Sequence, residues 1–144
     1  MALLYVVRHG DAVFSSIDEQ RELSEFGRKQ ISLLAHSDFS LIDTVWVSPF
    51  IRAQQTFEIL YKQSNLQADV VTQPLLQPEA NLGLLQDSIY QQSSSHLLLV
   101  GHNPILSHLV NSLSAQADYW LNTGQLIKLR GDDYLPGCMQ VIAS

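Results

Sequence analysis

Leu3-Leu4-Tyr5-Val6-Val7 is a short, unbroken apolar run, the pattern of a strand buried on both of its faces. The pattern returns at Leu97-Leu98-Leu99-Val100 and Thr44-Val45-Trp46-Val47, and in weaker form at Asp69-Val70-Val71-Thr72. Such strands need cover on both sides of the sheet. The chain is therefore expected to build α/β layers around a mainly parallel sheet.

The segments between these runs carry helical signals. Ser24 is a candidate N-cap for a helix reaching His36, with Phe26, Ile31, Leu34 and Ala35 near one face and Gly27 as a local weak point. Ser48-Pro49 reads as N-cap and first helical residue of a second helix, in which Phe50, Ala53, Phe57 and Leu60 recur at spacings of three and four. Asn103-Pro104 repeats that chemistry before Leu106, Leu109, Val110 and Leu113, and residues 82–91 form a further short helix. Gln125 to Leu129 and Met139 to Ala143 read as late strands or a hairpin closing the sheet. With no repeat and no linker rich in Pro, Gly and Ser, the reading is one domain over residues 1–144, with Trp46 and Trp120 accommodated in its core.

Charge and cysteine content narrow the functional classes. Eight Lys and Arg against fourteen Asp and Glu give a net charge of −6, so no bulk field favours a nucleic-acid backbone. The longest apolar runs, Ala2 to Val7 and Leu97 to Val100, fall far short of the roughly 20 residues of a membrane span. The N-terminus lacks a basic flank, and Arg8 interrupts its apolar run, which argues against export. The single cysteine, Cys138, allows no internal disulfide, and a cytoplasmic location is expected.

In open α/β sheets ligands bind beyond the carboxyl ends of the strands. The first strand exits into Arg8-His9-Gly10, the Thr44 strand into Ser48-Pro49-Phe50-Ile51-Arg52, and the Leu97 strand into Gly101-His102-Asn103-Pro104. Two of five arginines and two of five histidines thus gather at corresponding sheet ends. Taken singly, each has a structural explanation; together they point to an anion site. Arginine forks match phosphate oxygens, and helix N-termini after Ser48 and Asn103 add backbone donors. A phosphoryl group suits that convergence. His36, His96 and His108 lack ligand spacing, so no zinc site is expected.

Arg8-His9-Gly10 resembles the signature of the histidine phosphatase superfamily, also called phosphoglycerate-mutase-like. The segments Arg21-Glu22-Leu23-Ser24-Glu25-Phe26-Gly27, Val47-Ser48-Pro49-Phe50-Ile51-Arg52-Ala53-Gln54-Gln55-Thr56 and Val100-Gly101-His102-Asn103-Pro104 resemble its later blocks in the right order. Short length and the Ser-Pro-Phe-x-Arg-Ala-x-Gln-Thr form are most similar to SixA-type phosphohistidine phosphatases.

That resemblance implies a minimal fold without a lid and His9 as a nucleophile that becomes transiently phosphorylated. It also implies Arg8, Arg52 and His102 as groups binding the phosphoryl oxygens, with Arg21 and Asn103 as further contributors. Gly10 and Gly101 would admit the phosphate close to backbone or adopt positive φ. Neither metal nor organic cofactor is implied. Glu79 is the candidate acid for a leaving oxygen, Asp11 another, although the surroundings of Glu79 depart from the family pattern. The implied substrate is a histidine-phosphorylated phosphotransfer (HPt-type) or carrier protein, handled by a monomer with no nucleic-acid or membrane partner. A small-molecule phosphomonoesterase and a noncatalytic phosphate-binding module are the alternatives.

Overall fold

The computed structural model describes residues 1–144. Six strands form one sheet: β1 (Ala2–Arg8), β2 (Thr44–Val47), β3 (Asp69–Thr72), β4 (His96–Gly101), β5 (Leu126–Gly131) and β6 (Met139–Ala143), in the order β3-β2-β4-β1-β5-β6. β1, β2, β3 and β4 run parallel, while β5 pairs antiparallel with β1 and with β6. The expected parallel α/β sheet is present, and the two late strands close one edge of it.

Four helices cover the faces: α1 (Glu25–Leu34), α2 (Ile51–Gln63), α3 (Leu82–Gln91) and α4 (Ile105–Ser114). The continuous apolar strands split their side chains between two cores, as the pleat requires. Leu4, Val6, Leu97 and Leu99 pack with Leu85 and Ile89 of α3 and with Leu106, Leu109 and Leu113 of α4. Leu3, Tyr5, Val7, Leu98 and Val100 pack with Ile31 of α1 and with Ala53 and Leu60 of α2. No helix is long and apolar enough to cross a membrane.

Several details differ from the sequence expectation, first at β3, which is exposed along its whole length, Val70 and Val71 included, because it is the edge strand of the sheet. α2 begins at Ile51 with Phe50 at its N-cap, because the Ser48 hydroxyl, which accepts from Phe50 N at 3.2 Å, makes a turn before the helix starts. α4 begins at Ile105 with Pro104 at its N-cap. The Asn103 amide is committed elsewhere, donating to Leu121 O at 2.7 Å and accepting from Ser107 Oγ at 2.6 Å. In α1, Phe26 is 63% exposed and Gly27 takes the buried position. A Cβ at Gly27 would run into the Asp11 carbonyl oxygen, so backbone packs directly on backbone there. Trp46 is in the core as expected, but Trp120 is 58% exposed.

Candidate active site

The register of the sheet brings the three strand exits level. Arg8 pairs with Gly101 across β1 and β4, and Val47 pairs with Val100 across β2 and β4. The residues that follow, His9, Ser48 and His102, therefore emerge side by side at the carboxyl edge.

His9 is buried, and its ring lies 4.9 Å from that of His102. Its Nδ1 sits 2.6 Å from Gly10 O, an acceptor only, so Nδ1 carries the proton and donates. Nε2 is left with a lone pair, which accepts from Arg52 Nε at 3.3 Å. Arg52 comes from the buried face of α2, where it and Thr56 lie beside Ala53 and Leu60. The Thr56 hydroxyl donates to Arg52 O at 2.8 Å and accepts from Gly10 N at 3.2 Å, tying the first turn of α2 to the loop that carries the nucleophile candidate.

His102 Nε2 lies 2.8 Å from Ser48 Oγ, and the Phe50 ring stands edge-on to the imidazole at 4.9 Å. His102 Nδ1 and Arg8 Nε are buried and have no hydrogen-bond partner within the protein. Orphaned buried polar atoms are costly, and their natural complement is a bound oxygen. Arg8 is held by its Nη1, which donates to Leu121 O at 3.0 Å, the same carbonyl that receives the Asn103 amide. Asn103 thus orients the acceptor that positions Arg8.

Electrostatics follow from burial and crowding. Desolvation lowers the His9 pKa to about 4, with the charges of Arg52, Arg8 and Arg21 acting the same way against the Gly10 hydrogen bond. Desolvation likewise lowers His102 to about 2, reinforced by His9, Arg52 and Arg8. Both guanidinium pKa values are also pushed down, Arg8 by burial and then Arg52, and Arg52 by burial against the opposing pull of Asp18. Neutral imidazoles among crowded cations make a site suited to an anion.

Asp18 is the residue that sequence reasoning missed. It lies in a short 3-10 turn, Asp18–Gln20, and accepts from Arg52 twice, at its carbonyl oxygen (2.7 Å) and at Oδ2 (3.3 Å). Its Oδ1 is 3.5 Å from Arg21 Nη1. The Asp18-Arg21 spacing was the only signal, and it is no different from a surface ion pair. Arg21 itself donates to Val13 O (2.9 Å) and Ala12 O (3.3 Å), pinning the loop beside the site.

Neither candidate acid is hydrogen-bonded to His9, whose ring bonds to Gly10 and Arg52. Asp11 Oδ2 accepts from Ser24 Oγ at 2.6 Å and so braces the start of α1. Glu79 lines a neighbouring cleft of about 500 Å³ with Asp18, Glu19, Phe50, Pro74 and Leu75. Gly10 and Gly101 do not adopt positive φ. Gly10 is required by backbone packing, since a Cβ would stand 2.7 Å from Gly27 O, and a Cβ on Gly101 would stand 3.1 Å from Leu76 O.

Known proteins share this fold. Residues 4–97 match the histidine phosphatase superfamily (branch 1). The chain is similar to the phosphohistidine phosphatase SixA of Escherichia coli K12, 30% identical over 117 residues, which covers 76% of this chain and 73% of that protein. Among solved structures it is similar to the protein histidine phosphatase SixA complexed with tungstate, with a TM-score of 0.85, 25% identity and coverage of 98% and 94% of the two chains. A phosphoserine phosphatase from Entamoeba histolytica in complex with 3-phosphoglyceric acid shares the fold at a TM-score of 0.69 and 14% identity, covering 99% and 96%. On its motifs, its fold and these matches, the chain belongs to the histidine phosphatase superfamily.

Proposed function

We propose that this enzyme removes phosphate from a phosphohistidine side chain of a phosphotransfer or carrier protein. The observation that carries the reading is the set of unpartnered buried polar atoms, Arg8 Nε and His102 Nδ1, beside a neutral His9 whose Nε2 lone pair is fixed by the Gly10 contact. Similarity to SixA supports the choice of phosphohistidine.

In the proposed reaction, His9 Nε2 attacks phosphorus while the P–N bond to the substrate imidazole breaks. Arg8, Arg52 and His102 hold the equatorial oxygens, where the charge lies in a loose transition state. Arg21 contributes through Asp18, which it shares with Arg52. Water then attacks the phosphoryl group on His9, releasing inorganic phosphate and restoring the free imidazole. A substrate imidazole protonated at its other nitrogen leaves as a neutral molecule and needs no further proton. That fits a site in which Asp11 is bonded to Ser24 and the His9 ring is bonded to Gly10 and Arg52 rather than to a carboxylate.

Purified enzyme mixed with a histidine-phosphorylated phosphotransfer domain should release phosphate, and His9→Ala should release none. An acid-labile phosphoryl group trapped on His9 distinguishes turnover from mere phosphate binding. Full activity in His9→Ala would remove the nucleophile assignment. The phosphomonoesterase alternative draws on Glu79 and Asp18 in the adjoining cleft. It requires a proton donor, so Glu79→Gln should then slow hydrolysis of an alkyl phosphate; unchanged activity sets that role aside.

A further inference from the structure

The two segments beside the site, residues 13–17 and Trp120, carry exposed apolar side chains. Phe14 is 89% exposed, Trp120 58%, and Val13 and Ile17 48% each. The backbone that carries them is held by the site's own arginines. Val13 O accepts from Arg21, and Asp18 O, next to Ile17, accepts from Arg52. Leu121 O, next to Trp120, accepts from Arg8. Neighbouring Cα atoms lie about 3.8 Å apart, so these side chains stand within one or two residues of atoms that grip the phosphate-binding groups.

Resting on the phosphohistidine reading above, we propose that Val13, Phe14, Ile17 and Trp120 form the docking surface for the protein that carries the phosphohistidine. His9 is only 6% exposed, so a phosphorylated side chain reaches Nε2 only if the surface bearing it comes down onto this collar. Charge selects the same kind of partner. Glu19 and Glu79 line the adjoining cleft together with Phe50 and Leu75, and the third acid there, Asp18, is already paired with Arg52 and Arg21. The matching face is apolar around the phosphohistidine, with a basic side chain at one side. Exposed aromatic residues at the centre of such a contact dominate binding energy, whereas they do nothing for a substrate too small to reach them.

The test compares Phe14→Ser, Trp120→Ser and the double variant with the parent enzyme on two substrates, a histidine-phosphorylated phosphotransfer domain and phosphoramidate. Both side chains are exposed, so folding is checked by thermal melting. The expected result is a KM for the protein substrate raised about tenfold or more in the double variant, with kcat/KM for phosphoramidate unchanged. Equal kcat/KM for the protein substrate overturns the docking surface while leaving the phosphohistidine reading in place. A parent enzyme that turns over phosphoramidate but not the phosphoprotein overturns the reading itself. A parent dimer that the double variant dissociates would assign the collar to a second copy of the chain, and the proposal would fail.

Discussion

His9 keeps Nε2 unprotonated at neutral pH because burial and three neighbouring arginines make its protonation unfavourable. In an NMR titration its ring nitrogens should change near pH 4; a midpoint at the ordinary histidine value near 6.5 would contradict this. Arg52 reaches His9 with Nε and Asp18 with both terminal nitrogens, a fork that an ammonium cannot copy. Arg52→Lys should therefore lower kcat/KM by about 10²–10³, as loss of a transition-state donor does, with charge preserved. A loss under threefold would place Arg52 outside the phosphoryl site. Asp18 shows the limit of reading residues singly. Its role comes from a fold that lays the turn at Asp18–Gln20 against α2, a long-range contact with no local signature.

At the scale of elements, much was legible in the sequence, and the two misread helix starts share a cause. The bounds of β2 and β3 follow from their apolar runs, and Ser24 does cap α1, accepting from Gly27 N at 2.9 Å. The starts of α2 and α4 were placed too early because Ser48 and Asn103 look like caps in isolation. In the fold, tertiary partners take their side chains: His102 takes Ser48, while Leu121 and Ser107 take Asn103. Gly27, the apparent flaw in α1, is what lets that helix lie on the Asp11 backbone. Gly27→Ala should improve helix propensity and yet destabilise the protein by about 1–3 kcal/mol through overpacking, measured by urea unfolding. A gain in stability would show that the loop after β1 yields easily.

For the whole molecule, the depressed histidines tie stability to acid. His9 and His102 are neutral when folded down to pH about 4 and about 2, while in the unfolded chain both protonate near 6.5. The unfolded state therefore binds more protons below pH 6.5, and stability falls as the pH falls. Each such proton contributes a slope of about 1.4 kcal/mol per pH unit. His102→Asn should flatten the loss between pH 6.5 and 4 in urea midpoints; an unchanged slope would mean that His102 contributes nothing to it. The net charge of −6 hides a cationic centre, since Arg8, Arg21 and Arg52 converge on one sheet edge.

The level register of β1, β4 and β2 also determines where the chain tolerates editing. One residue added or removed within any of these strands would turn His9, Ser48 or His102 to the opposite face, because side chains alternate with a period of two. The connection over residues 92–95, whose residues lie outside the core, enters β4 from the far end. A reporter peptide or fusion spliced there lengthens a loop and leaves the chemistry in step, which makes that connection the place to attach a probe for following phosphate release.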